Sequence, residues 1–146
     1  MKRFGLLLLL VLTARLGWGG STNDAPVKLS FDLLKSWVYN EEKDTPIPKS
    51  ITQYDGQRVE MTGYMMPTTD IKEIKEFLFM PSLWGCCYGQ PPAPNHVILA
   101  RMVEGKTSKF YQDMLTIRGV LRCGVVKQDG YVLSLYRIEV DEIVTK

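Results

Sequence analysis

One histidine and three cysteines stand in 146 residues, and no two cysteines are spaced as Cys-x-x-Cys. That scarcity excludes the paired Cys/His spacings of closed structural zinc sites and the dithiol of thioredoxin-like oxidoreductases. With His96 as the sole histidine, at most one Ser-His or Cys-His constellation can be built. No phosphate-binding loop and no dinucleotide fingerprint occurs. Asn23, Asn40 and Asn95 all lack a glycosylation sequon. No apolar run reaches the ~20 residues that a membrane-spanning helix needs. Nothing repeats internally, and no stretch is low in complexity.

The apolar run that is present lies at the N-terminus. Lys2 and Arg3 precede Phe4–Ala14, and Gly17-Trp18-Gly19 offers small residues for a cleavage site. This is the pattern of a secretory signal over residues 1–19. Its removal takes Lys2, Arg3 and Arg15 from the 18 basic residues and none of the 16 acidic ones, leaving a net charge of −1. A chain without basic excess is not a nucleic-acid binder. About 127 residues remain, enough for one domain with its own core. The expected organisation is a signal over 1–19, a tether and short helix over 20–44, and one domain over 45–146. Export places the chain in a periplasm or outside the cell, where thiols are oxidised. No membrane span is expected after cleavage.

Ser30 to Tyr39 reads as a short helix capped by Ser30, with Phe31, Leu34 and Val38 on one stripe. Residues 40–48 read as a linker. Strands are then expected at Arg58–Met66, Glu76–Met80, His96–Val103, Leu115–Cys123 and Tyr131–Val140. Gly63 suggests a bulge or bend, a helical turn is expected near Phe110-Tyr111, and Gln128-Asp129-Gly130 marks a hairpin. Five strands, two with an internal glycine, predict an all-β fold. Its form is a small five-stranded OB-like β-barrel, with the N-terminal helix over one end.

The chemistry concentrates in Cys86-Cys87-Tyr88-Gly89-Gln90-Pro91-Pro92-Ala93-Pro94-Asn95-His96. Prolines stiffen such a loop, and thiols and imidazole are ligands or redox groups. Three readings compete. Cys86, Cys87, His96 and Cys123 could hold Zn²⁺ or Cu⁺, with thioethers of Met65, Met66 or Met80 in support. A thiol of Cys86 or Cys87, activated by His96, could carry redox chemistry. Alternatively, Cys86 or Cys87 forms a disulfide with Cys123. Cys86 and Cys87 do not readily bond each other, because adjacent Cα atoms lie about 3.8 Å apart and disulfides span about 4.4–6.8 Å. Trp84, Tyr88, Gly89, Pro91, Pro92, Pro94 and Asn95 would form a rigid binding loop suited to protein contact. No catalytic set stands out.

Ile47-Pro48-x-x-Ile51, Asp55-Gly56-Gln57-Arg58-Val59, Gly63-Tyr64-Met65-Met66-Pro67, Glu76-Phe77-Leu78-Phe79, the Cys86–Asn95 string and Ser134-Leu135-Tyr136-Arg137-Ile138 together carry a resemblance. Over residues 45–142 the chain resembles the bacterial family catalogued as domain of unknown function 3299. The Cys-Cys-x-Gly-x-Pro-Pro-x-Pro-Asn string is its specific part. The resemblance implies a secreted or lipid-anchored envelope protein, in some cases encoded beside ABC-type exporter components and linked to metal supply. It implies no reaction, and this chain lacks the cysteine of a lipid-anchoring signal. The expected function is therefore a non-enzymatic envelope accessory domain. It binds a metal ion or a partner protein, such as an ABC-type exporter, through the Cys86–His96 loop. A thiol-based redox protein and a purely structural domain are the alternatives.

Overall fold

The computed structural model describes residues 25–68, 71–83 and 92–145. The fold is mostly β. Strand β1 (Val27–Lys28) leads into helix α1 (Phe31–Leu34) and helix α2 (Lys49–Thr52). Strands β2 (Arg58–Pro67), β3 (Glu76–Met80), β4 (Ile98–Met102), β5 (Leu115–Gln128) and β6 (Tyr131–Val144) follow, with a 3₁₀ turn at Pro94–His96 before β4. All six strands form one sheet in the order β1-β2-β3-β4-β6-β5, and β5 also pairs with β2. The five longer strands fall on the five expected segments.

Alternation in β2 dictates its placement. Val59, Met61, Gly63 and Met65 are buried while Arg58, Glu60 and Thr62 are not, the period-two signature of a strand with one apolar face. Gly63 is where β2 changes partner. Arg58 to Gly63 pair with β5, and Tyr64 to Pro67 pair with β3. The glycine is required by close approach, since its φ is not positive. A Cβ there would stand 2.7 Å from the Met80 carbonyl oxygen and 2.8 Å from the Phe31 ring. The hairpin between β5 and β6 turns through Asp129 (φ 50°) and Gly130 (φ 87°), two left-handed residues that suit the strands' twist.

The core gathers Phe77, Phe79, Ile98, Ala100, Ile117, Leu121, Tyr136, Ile138 and Val140, joined by Leu29, Phe31, Leu34 and Ile51. Phe31 and Phe79 stack at 5.6 Å between centroids. So α1 and α2 each contribute side chains to the core: Phe31 and Leu34 from α1, Ile51 from α2.

Several local expectations need correction. The helix of residues 30–39 is the four-residue α1. Ser30 caps it, its Oγ accepting from Leu33 N at 3.4 Å, but Val38 is exposed and belongs to no stripe. Part of the expected tether is structured, because Val27 and Lys28 pair in parallel with β2. Lys49–Thr52, on the threshold of the strand region, forms α2 and buries Ile51. His96 does not begin β4 but ends the 3₁₀ turn, where Pro94 sets φ and His96 N donates to Ala93 O at 2.8 Å. No helical turn forms near Phe110. That stretch is instead tied by an isolated bridge between Ser108 and Ile74.

Candidate functional site

The 3₁₀ turn is the described end of the proline-rich loop, and it is fastened to the core. Asn95 is 2% exposed, and its Nδ2 donates to the carbonyl of Trp37 at 2.7 Å. Trp37 lies just past α1 and donates from Nε1 to Tyr136 Oη at 2.9 Å. The Tyr136 hydroxyl in turn donates to Leu34 O at 3.3 Å. Ser134 Oγ donates to Val97 O at 2.6 Å and accepts from Tyr136 N at 3.0 Å. Residues 34–37, 95–97 and 134–136 thus meet in one buried polar cluster. Paired donors and acceptors of this kind specify geometry, since leaving any of them unmade inside a core is costly.

The titratable groups of the cluster are held neutral. Burial pushes the Tyr136 phenol up to about 12, against the opposing pull of the Trp37 hydrogen bond. Cys123 pairs with Tyr136 across β5 and β6 and packs against the core. Burial, helped by the Asp55 carboxylate, pushes its thiol up to about 11. Asp55 Oδ1 also accepts from Cys123 N at 2.8 Å. His96 is shifted the other way, below its ordinary value, by burial and then by the Lys35 ammonium. At neutral pH the cluster therefore presents an uncharged imidazole, a protonated thiol and a protonated phenol. Such a set can seat a loop and offer an imidazole nitrogen. It supplies no thiolate nucleophile.

Beside the turn lies a groove of about 550 Å³ lined by Met66, Leu78, Met80, Pro92, Val97 and Leu133, with Tyr131 and Asp129 of the β5–β6 hairpin on its rim. Its wall is formed by the sheet face opposite the core.

Of the residues singled out in the sequence, Trp84, Cys86, Cys87, Tyr88, Gly89 and Pro91 lie outside the described residues. Asn95 and His96 sit together in the turn, and Pro92 lines the groove. Pro94 opens the turn. Cys123 is half-buried and packs against the core opposite Tyr136; its candidate disulfide partners, Cys86 and Cys87, lie outside the described residues. Met65 is buried in the core and Met66 lines the groove, so these neighbours face opposite ways. Among the described residues no three His, Cys, Asp or Glu side chains converge. No described helix is long and apolar enough to cross a membrane.

Sequence reasoning missed Trp37, Ser134 and Tyr136 as partners of the loop. The available signal was a serine and a tyrosine two apart, flanking Leu135 in a strand of largely apolar alternation, where each needs a hydrogen-bond partner once buried.

No curated protein matches the sequence. Among solved structures, the chain is similar to a DUF3299 family protein from Pseudomonas aeruginosa PAO1. The TM-score is 0.59 and the identity 17%, over 82% of this chain and 95% of that one, a likeness of fold. The family model described as "Protein of unknown function (DUF3299)" matches residues 34–145, and the chain belongs to that family.

Proposed function

We propose that this chain is a non-enzymatic accessory domain of a bacterial envelope. In this reading residues 1–19 direct export, and an OB-type barrel holds the Cys86–His96 loop as the binding element for a metal ion or a partner protein. The return of the pairing from β5 to β2 supports the barrel. The observation that carries the functional reading is the anchoring of the loop's end, Asn95 to Trp37 and Trp37 to Tyr136. A loop tied at its base to buried groups spends less conformational entropy when it binds.

The metal reading uses Cys86, Cys87 and His96 with Zn²⁺ or Cu⁺. Neutral imidazole is the ligating form, and burial beside Lys35 favours that form in His96. Cys123 is a poor further ligand, because a thiol pushed up to about 11 resists the deprotonation that ligation requires. The same property weighs against Cys123 in the thiol-redox alternative, which rests on Cys86 and Cys87 alone. A partner such as an ABC-type exporter component follows from the family resemblance rather than from any contact.

Metal analysis of the exported, reduced protein tests this. About one equivalent of Zn²⁺ or Cu⁺ is expected, with affinity reduced tenfold or more in His96→Ala as one inner ligand is lost. Affinity unchanged in Cys86→Ser/Cys87→Ser would end the metal reading and leave a partner protein as the ligand.

A further inference from the structure

Tyr64 stands where β2 changes partner. Its neighbour Gly63 pairs with Leu115, the first residue of β5, and Tyr64 itself pairs with Met80 of β3. Tyr64 alternates with buried Gly63 and Met65, so its side chain lies on the face opposite the core. The chain that enters β5 brings Tyr111, Gln112, Asp113 and Met114 to the same spot. With Tyr64 and buried Leu115 they line one cavity of about 560 Å³, a size within the ~300–1,000 Å³ of small-molecule sites.

The polar groups around this cavity are uncommitted. Elsewhere on the sheet charged side chains answer one another: Arg58 with Asp141, Arg101 with Glu76, Arg118 with Glu60. Among the described residues, the Tyr64 and Tyr111 hydroxyls, the Gln112 amide and the Asp113 carboxylate take part in no hydrogen bond or ion pair. The two phenol rings are half-buried, while the amide and the carboxylate are exposed. Charge selects the ligand. Lys109 Nζ sits over the Tyr111 ring at 5.2 Å from its centroid, so a second cation there is repelled. An anion is repelled by Asp113. What fits is a neutral molecule with an apolar face for the rings and a rim of groups that both donate and accept.

We propose that this cavity is a receptor for a neutral sugar ring, free or as one unit of a glycan. A pyranose offers polarised C–H bonds on its faces, which suit the negative face of a phenol ring. Its hydroxyls project from the rim, where the Asp113 carboxylate accepts from one and the Gln112 amide donates to another. Met114, 49% exposed beside Asp113, adds an apolar contact for a substituent such as an N-acetyl methyl group. The site shares no residue with the Asn95–Tyr136 cluster or with the groove beside the 3₁₀ turn, so it stands apart from the role proposed for the loop.

The test is tyrosine-ring NMR on the exported chain, titrated with chitotriose, with N-acetylglucosamine, and with glycerol as a polyol control. The ring resonances of Tyr64 and Tyr111, assigned through bonds in the wild-type protein, are expected to shift and saturate with chitotriose but not with glycerol. Those of buried Tyr136 should stay still. Tyr111→Ala should weaken the binding tenfold or more, as an aromatic platform is lost, and Asp113→Ala at least threefold. Chitotriose binding at least threefold tighter than the monosaccharide would make the ligand a glycan chain; equal binding would make it a free sugar. Tyr64 and Tyr111 resonances that do not move with either saccharide, or that follow glycerol alike, overturn the proposal. That reading needs only the wild-type protein, so it holds even if a variant fails to fold.

Discussion

A methyl group added at Gly63 would stand 2.7 Å from a backbone oxygen of β3 and 2.8 Å from the Phe31 ring. At Gly119 it would overlap the Glu139 carbonyl in β6. Backbone cannot step aside as a flexible side chain can. Gly63→Ala should therefore cost about 1–3 kcal/mol, the usual range for overpacking, and Gly119→Ala at least as much. Urea unfolding of the two variants would measure this; a change within ~0.5 kcal/mol at Gly63 would show that β3 yields. Both glycines stand out in the sequence as interruptions of strand patterns. Their reason does not, because it depends on which strand lies opposite. The same holds for Cys123. Its packing against the core opposite Tyr136 is revealed only by the register of β5 on β6.

At the scale of elements, the link between α1 and β6 can be broken from either side with unequal results. Tyr136→Phe leaves Trp37 Nε1 without its acceptor and should cost about 1–3 kcal/mol, the price of a stranded donor. Trp37→Phe removes that donor while the Tyr136 hydroxyl still donates to Leu34 O, so about 0.5–1.5 kcal/mol is expected from the hydrogen bond itself. Thermal or urea melts of both variants and of the double variant check the order. Additive losses would mean that the Trp37–Tyr136 bond contributes nothing. The five long strands were legible because Val, Ile, Phe and Met alternate with charged residues, as in Arg58–Met61, or run uninterrupted where both faces are covered, as in Val97–Ala100. The Asp129-Gly130 turn was legible because only such residues accept its φ values. The helices were not. Four residues carry too little periodicity to bound a helix, and α1 stops where Trp37 turns to reach a tyrosine 99 residues away. For the site, the Pro94-Asn95-His96 segment was readable as a place of interest, but its partners lie in α1 and β6 and no local pattern names them.

For the molecule as a whole, these groups define a window of pH in which the fold is most stable. His96 titrates lower in the folded chain than its ordinary 6.5 because burial and Lys35 disfavour the imidazolium. The fold therefore binds fewer protons than the unfolded chain as pH drops below about 6.5, and stability falls in that direction. Cys123 is raised from 9.0 to about 11 by burial, and Tyr136 from 10.0 to about 12. For an acid raised on folding, the stabilisation is fully present below the unfolded value and is lost as pH rises through the folded one. Melting temperature should accordingly be flat between about pH 6.5 and 9 and decline on both sides. The two limbs belong to different residues, which makes the expectation specific. His96→Gln should flatten the acid limb and leave the alkaline one, while Cys123→Ala should reduce the decline between pH 9 and 11 and leave the acid limb. Thiol alkylation supplies an independent check. Cys123 should react with iodoacetamide at pH 8 far more slowly than a free peptide cysteine, both because so little thiolate is present and because the side chain is half-buried. Alkylation of Cys123 at the rate of an open thiol, together with an alkaline limb unchanged in Cys123→Ala, would show that the β5–β6 register does not bury this residue against Tyr136.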